Sequence, residues 1–378
     1  MCRFPDGRAC AVIDTAALQH NFTLLDARAK KHAVGGRPPR TIAVVKANAY
    51  GHGLALVVPA LLAVGCSFFA VATAAEAISV RELAPSADVL ILGYTPPREA
   101  PRLARLGLTQ TVFSSDYAKE LGKYAQAGKE KLQVHLKIEG GMCRLGFSPD
   151  SIGEIVAAAS VPSLHATGIY THFPCADCNK NATRAAFLRF LTCKGALNDL
   201  GLSLFAHAAA SAALLEVPET VLDGVRIGLA LYGISPTDDD HGLRPVMSLT
   251  APVVQIHEVP VGTPVGYGGT FVTARPSRIG TLPIGYADGI PRRMRSDAPR
   301  VRIKTQKGAF FAPIAGNICM DQLMLDLTDT PAEVGDAVLF FENIKTCAAA
   351  LGTIPYELFT GIGPRVVRIA RNERNINS

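Results

Sequence analysis

Residues 41–73 read TIAVVKANAYGHGLALVVPALLAVGCSFFAVAT. An apolar run (41–49) carries a lysine near its end, a corner of Tyr50, Gly51, His52 and Gly53 follows, then a helical stretch, then a second apolar run from Phe68. Run, corner, helix and run is the unit from which parallel sheets are built. The plan continues through ADVLILG (87–93), TQTVFSS (109–115), LQVHLKIE (132–139), HATGIYTHF (165–173), LFAHAAAS (204–211) and VRIGLALYG (225–233). With TIAVVKANA and FFAVAT these make eight runs. A closed (β/α)8 barrel requires eight, whereas an open doubly wound sheet more often has about five or six.

The polar residues Lys46, Lys137, His172 and Ser211 stand at the C-terminal ends of these runs or just beyond, where such barrels carry their active sites. Arg226 departs from this by standing near the start of its run. Either the run's boundary is set early or the last strand is only three residues long; the second is the reading, with IGLALYG turning into a phosphate-binding loop and helix. Gly53 to Ala75 is uncharged and long enough to cross a bilayer. Pro59 and the Gly65-Cys66-Ser67 break divide it, so it reads as a buried helix and a buried strand.

After Pro236 the texture changes to alternating strands broken by Gly and Pro: PVMSLTAPVVQIHEV, RIGTLPIGYADG, RVRIKTQKG and NICMDQLMLDL. The expected fold is therefore α/β, a TIM-like (β/α)8 barrel over 13–240 followed by a mainly-β domain over 241–378. The opening ACAVID, within residues 1–12 and their edge, is expected to add a strand to the β domain. A chain of 378 residues also exceeds the size at which one core usually stops growing.

Composition excludes several classes. With 48% hydrophobic and 19% charged residues the chain is not globally disordered. The net charge, 38 − 32 = +6, is spread along the length and is no nucleic-acid signature. Its densest basic stretch, Arg292 to Lys307, alternates with Val301 and Ile303 as a strand with one solvated face would. Nine irregularly spaced cysteines and the lack of a basic-then-apolar leader imply a reduced, cytoplasmic protein with no membrane or nucleic-acid partner. His172, Cys175 and Cys178 in HFPCADC raise the question of zinc. A structural zinc site normally needs a fourth ligand, however, and no second such pair exists, so no metal is expected.

Lys46 stands in an apolar strand, where an unpaired ammonium is costly. A desolvated lysine at a barrel mouth has a lowered pKa and attacks aldehydes well; a lysine bound to a carboxylate is the equal alternative. The corner after it, with the Tyr50 hydroxyl and two glycines, suits a phosphate.

AVVKANAYGHG resembles the pyridoxal-phosphate (PLP) lysine motif of alanine racemases. The resemblance extends through KIEGGMCRLGF (137–147), GIYTHFPCAD (168–177), VRIGLALYGISP (225–236), VGYGGTF (265–271), PIGYADGIPR (283–292), GNICMDQ (316–322) and PYELFTGIGPRVVR (355–368), in the same order. It implies a PLP-dependent isomerase that interconverts L- and D-alanine by two bases, as a homodimer with shared sites that supplies D-alanine for peptidoglycan. By resemblance, Lys46 holds PLP and exchanges the proton on the D-alanine side, while Tyr267 of a second subunit serves the L-side. Two bases on opposite faces are what inversion at a carbon needs. A phenol ordinarily titrates near about 10, so Tyr267 needs positive charge nearby. Residues matching His172 and Arg226 supply it in the family.

Also by resemblance, Arg226 faces the pyridine nitrogen, where a guanidinium cannot take the ring proton and side reactions such as transamination are limited. Tyr50, Ser211, Gly228, Leu229 and Tyr356 bind the phosphate. Arg144 and the backbone of Met320 contact the substrate carboxylate, with Tyr286 and Asp321 at the entrance. Lys137 matches a lysine that is carboxylated in some members and orients the arginine.

Three departures stand out: Glu139-Gly140 where the family usually has Asp-Thr, Ala210 where an asparagine commonly precedes the serine, and Cys143 beside Arg144. The competing readings are a racemase preferring serine or a larger amino acid, a decarboxylase of the same barrel class, and a non-catalytic PLP-binding barrel. The second base in VGYGGTF argues against a decarboxylase, and the β domain argues against the non-catalytic barrel.

Overall fold

Each of the eight apolar runs forms a strand in the computed structural model, which describes residues 4, 6–32, 36–128, 130–294 and 299–371. Strand β1 is Cys10–Ile13; then follow β2 (Arg40–Val44), β3 (Phe68–Val71), β4 (Asp88–Ile91), β5 (Thr109–Val112), β6 (Leu132–Lys137), β7 (Leu164–Tyr170), β8 (Phe205–Ala210) and β9 (Gly224–Ile227). Strands β2 to β9 close a barrel in chain order, every pair parallel, with β9 returning to β2 through Arg40 opposite Gly224. Both faces of such strands are covered, which is why β3 and β5 are buried at every residue and why the sequence shows continuous apolar runs rather than alternation.

The helices between strands start where the sequence supplies caps. Thr73 and Glu76 form a reciprocal capping box on helix Ala74–Leu83, while Ser114 and Asn179 cap Ser115–Ala125 and Lys180–Asp199. The uncharged segment 53–75 does hold a helix, Leu54–Leu62, and then β3. The helix is half-buried, not buried as expected: Val57, Val58 and Leu61 face inward while Ala55, Pro59 and Leu62 are exposed. Among the described residues, no helix is long and apolar enough to cross a membrane.

The chain divides into two units, one of Ala16–Ala49 with Leu54–Pro245, the other of the described parts of Met1–Thr15, Tyr50–Gly53 and Val246–Ser378. The second unit thus takes four residues from the corner after Lys46. It contains β10 (Met247–Pro252), β11 (Gln255–Val259), β12 (Pro264–Val265), β13 (Phe271–Val272), β14 (Ser277–Leu282), β15 (Val301–Thr305), β16 (Gly308–Ala312), β17 (Leu323–Asp326), β18 (Ala337–Phe340) and β19 (Val367–Ala370). One sheet runs β16-β15-β18-β10-β1-β19, so the opening segment lies between β10, antiparallel, and β19, parallel. A three-stranded sheet orders β11-β14-β17, and β12 pairs with β13. In β15 the basic stretch alternates as a half-solvated strand, with Val301 and Ile303 buried and Lys304 exposed; residues 295–298 of that stretch lie outside the described residues.

Candidate active site

Lys46 begins two residues after β2 ends, at the C-terminal mouth of the barrel. The four residues that follow it, Ala47, Asn48, Ala49 and Tyr50, all have left-handed dihedrals, with φ of 52°, 52°, 56° and 53°. Each such L-residue costs roughly 1–2 kcal/mol. Local hydrogen bonds hold the turn: Ala47 N donates to Glu76 Oε1 (2.6 Å), Ala49 N to Val45 O (2.8 Å) and Leu54 N to Asn48 Oδ1 (2.8 Å). Strain concentrated beside a reactive side chain is typical of functional sites. The Lys46 ammonium is pushed below the ordinary lysine range by burial and by the Arg144 guanidinium, which outweigh the opposing pull of Glu76. The last strand, β9, is four residues long rather than three: it begins one residue earlier, at Gly224, and keeps Ile227, which pairs with Ala43 of β2, and Leu229–Tyr232 then follows as a single 3-10 turn.

Arg226, third in β9, is buried and spends its fork on the mouth. Its Nη1 donates to His207 O (3.0 Å) and His207 Nδ1 (2.7 Å), and its Nη2 to Thr171 O (2.7 Å) and Ala208 O (3.0 Å), with His172 Nδ1 at 3.5 Å. Burial lowers it to about 10, so it remains a cation near neutrality. Because a guanidinium only donates, His207 Nδ1 must accept, which puts the His207 proton on Nε2. That proton is donated to His135 Nδ1 (2.9 Å), leaving the His135 proton on its own Nε2. Both rings are neutral: burial, then the Arg226 charge, lowers His135 to about 3 and His207 well below the ordinary histidine range. Tyr170 stacks on His207 at 4.7 Å, and Gly168 must lack a side chain because a Cβ there would stand 2.5 Å from His135 Nε2.

Sequence reasoning missed His135, His207 and Tyr170. Each sits in an apolar run and reads as core filling until β6, β7, β8 and β9 are neighbours.

This buried pair makes the fold sensitive to acid. An unfolded histidine titrates near about 6.5, so between that value and the lowered native one the unfolded chain binds more protons, and stability falls as pH falls. His135→Phe keeps a ring beside Phe68 and Phe205 but orphans the His207 N–H. The variant is expected to lose about 1–3 kcal/mol at pH 7, and to lose less further stability than wild type on moving to pH 5. Thermal unfolding at both pH values checks this; equal slopes would place the acid sensitivity in other groups.

Lys137, the last residue of β6, is buried, donates to Ile138 O (2.9 Å) and lies 5.2 Å from the centre of the Tyr170 ring. Burial, Arg226 and Arg144 lower it to about 7, against the opposing effect of Glu139. His172 is lowered to about 3 by burial and then by Arg226, Lys137, Arg144 and Lys46. These cations therefore converge on one place.

The loop carrying Arg144 explains both residues of the first departure. Glu139 accepts from the backbone N–H of Gly141 (2.6 Å), Met142 (2.6 Å) and Cys143 (2.8 Å), so its carboxylate shapes the loop. Gly140 abuts the neighbouring strand end, where a Cβ would lie 2.3 Å from His172 O and 2.6 Å from Thr171 Oγ1; no side chain fits. Ser211 follows β8, and its Oγ accepts from Gly228 N (2.9 Å), so the hydroxyl keeps its own proton to donate. Ala210 offers no side-chain cap to helix Ser211–Glu216, and Leu229 is the buried first residue of the 3-10 turn.

In the β unit, Tyr50 and Tyr356 lie with ring centres 5.8 Å apart, and burial pushes the Tyr50 phenol well up. Tyr267 is 73% exposed and Met320 53%. They line one open cavity of about 740 Å³ with Gly266, Gly268, Cys319, Asp321 and Gln322. Arg365 holds Asp321 at 2.8 Å. Tyr286, also exposed, lines a different cavity of about 520 Å³ with Arg292, Arg293 and Glu357.

Comparison with known proteins matches two family models, "Alanine racemase, N-terminal domain" over residues 13–236 and "Alanine racemase, C-terminal domain" over 246–370. The chain is 38% identical to Alanine racemase 2 of Caldanaerobacter subterraneus over 94% of its own length and 93% of the relative's. It is 38% identical to the Desulforamulus reducens alanine racemase over 95% and 98%. Among solved structures, alanine racemase from Streptomyces coelicolor superposes with a TM-score of 0.88 at 34% identity, covering 97% of this chain and 99% of that one. The Bartonella henselae alanine racemase, described with covalently bound pyridoxal phosphate, gives 0.84 at 27% identity, covering 96% and 99%.

Proposed function

This chain belongs to the alanine racemase family, and from that premise we propose that it interconverts L- and D-alanine with PLP, using Lys46 as one base and Tyr267 from a second copy as the other. The observation that carries the reading is the convergence of Lys46, Lys137, Arg144 and Arg226 around His172. Arg144 lowers Lys46, and Arg226 and Arg144 lower Lys137, beyond what burial does; a site with that excess of positive charge calls for anions, and a phosphorylated cofactor and an amino-acid carboxylate supply them.

The residues fit the cofactor. Lys46, with its lowered pKa, would hold it; the Ser211 hydroxyl and the Gly228–Leu229 turn, with Tyr50 and Tyr356, would bind its phosphate; Arg226 would donate to its ring nitrogen. When bound, PLP acidifies the α-proton of the substrate by drawing electrons into its ring. Lys46 then moves that proton on the D-side and Tyr267 on the L-side. Arg144 and the Met320 N–H orient the substrate carboxylate. Lys137, near neutral at physiological pH, has the free amine that carboxylation requires, and in that form it would fix Arg144.

The pairing of two copies is supported by the exposure of Tyr267 and Met320 on an open cavity. Asp321 would stand at the entrance of that shared site, and Tyr286, which lines the second cavity, would adjoin it through its N–H on Cys319 O (3.0 Å). We place the enzyme in the cytoplasm, supplying D-alanine for peptidoglycan. The non-catalytic barrel reading is not favoured, since the C-terminal family model is matched over 246–370.

PLP-loaded protein incubated with L- or D-alanine in deuterated water is expected to equilibrate the isomers and incorporate deuterium at the α-carbon, faster than with serine or larger amino acids. No exchange with any amino acid overturns the assignment. Tyr267→Phe is expected to keep the cofactor bound and to slow L-to-D conversion by roughly 10²-fold or more, the contribution of one general base. Unchanged L-to-D rates would assign the L-side proton to another group.

A further inference from the structure

The turn Cys175-Ala176-Asp177-Cys178 links β7 to helix Lys180–Asp199, and its cysteines have no part in the function above. Cys175 O accepts from Cys178 N (3.2 Å) and Asn179 N (2.8 Å), closing a single turn. Such a turn holds its first and fourth Cα within about 7 Å, and a disulfide spans about 4.4–6.8 Å between Cα atoms. The Cys178 thiol turns back onto the first residue of the turn, donating to Cys175 O (3.9 Å); desolvation and then the neighbouring Cys175 raise it. Cys178 is exposed and Cys175 half-buried, whereas Cys10, Cys66, Cys193 and Cys347 are buried. No other two cysteines in the sequence stand three residues apart.

The turn also adjoins the mouth of the barrel. His172 lies three residues before Cys175, and its carbonyl is wedged against Gly140 of the loop that carries Arg144. The turn therefore stands three residues from His172 and, through the His172 carbonyl, next to the loop that carries Arg144.

We propose that Cys175 and Cys178 are a modification site, a dithiol that low-molecular-weight disulfides such as oxidised glutathione convert to an intraturn disulfide, and that this conversion slows the reaction by shifting His172 and the Arg144 loop. The second half rests on the racemisation proposed above. In the first step one cysteine thiolate attacks a glutathione sulfur, forming a protein–glutathione disulfide and releasing a glutathione thiolate. The other cysteine thiolate then attacks the protein sulfur of that bond and expels the second glutathione thiolate. The protein loses two electrons and two protons; the glutathione disulfide gains both and leaves as two thiols.

The test treats PLP-loaded protein with oxidised glutathione and maps its peptides by mass. The expected product is a peptide spanning 175–178 lighter by two hydrogens, without retained glutathione, and reversed by dithiothreitol. Cys175→Ser and Cys178→Ser should each hold a stable glutathione adduct on the remaining thiol. Wild type that keeps glutathione on either cysteine, reacts at neither, or links one of them to Cys143 overturns the modification site.

In parallel, kcat/KM for alanine is expected to fall roughly tenfold on oxidation, as a small misplacement of a positioned group produces, and the double serine variant should be indifferent to the oxidant. A disulfide with unchanged kcat/KM, or a loss that persists in the double variant, overturns the coupling. Reduced protein with no racemisation overturns the proposed function instead, and leaves the mass readout standing.

Discussion

Lys46→Ala yields a folded protein without the visible absorbance of bound PLP and without racemisation in either direction. Lys46 supplies both the attachment and the D-side base, so its loss removes two contributions at once, and activity falls to background. The fold survives because Lys46 is only half-buried, and alanine removes a lysine whose charge burial already disfavours. Absorbance scanning and chiral analysis check the result; full activity would remove Lys46 from the chemistry.

The same variant tests the shared site. If Lys46 acts from one chain and Tyr267 from its partner, a mixed dimer of Lys46→Ala and Tyr267→Phe chains carries both lesions in one site and none in the other. With random reassortment about half the dimers are mixed, and activity should recover to about a quarter of wild type. Verified mixed dimers as inactive as their parents would show that both residues act within one chain.

Arg226→Glu is the second large effect, and the structure makes it act twice. A carboxylate cannot donate to Thr171 O or Ala208 O, and each buried carbonyl left without a donor costs about 1–3 kcal/mol, while His207 O keeps only its long bond from Thr171 N (3.4 Å). A marked drop in thermal stability is expected. At the proposed ring nitrogen, glutamate accepts the proton that arginine cannot, so racemisation should fall by roughly 10²-fold or more while transamination, read as pyruvate formed from alanine, rises. Arg226→Lys, which keeps a donor and a charge but loses the planar fork, separates the two effects: better folded than the glutamate variant, and slow without the rise in transamination. Wild-type racemisation in Arg226→Lys would remove Arg226 from the cofactor.

The barrel was legible because a parallel sheet covered on both faces leaves long apolar runs, and all eight runs became strands. The β unit was less so. Its two-residue pair β12–β13 is too short for any periodicity, and β11 is mostly exposed, so neither leaves a burial pattern. The site divides similarly. Lys46, Lys137, His172 and Ser211 announce themselves as polar groups at strand ends. His135 and His207 do not, because their pairing exists only across β6, β8 and β9, which are far apart in the chain. Nor does local sequence reveal that Tyr50–Gly53 packs with residues near 359–368 rather than with its own neighbours; that follows from Phe359 O, against which a Cβ at Gly51 would collide, and from Arg368, which donates to Gly51 O.

The turn after Lys46 has one more consequence. Its backbone is the mirror image of an ordinary helical turn, so the side chains are of the wrong hand for the path they follow. Ala→Gly in a helix normally destabilises by about 0.5–1 kcal/mol; at exposed Ala47 the sign should invert, because glycine has no preference between the two hands. A D-alanine installed there by chemical synthesis would go further and match the path outright. In a chain whose proposed task is to exchange the two hands of alanine, this is a position in its own backbone where the physical preference is for the D form.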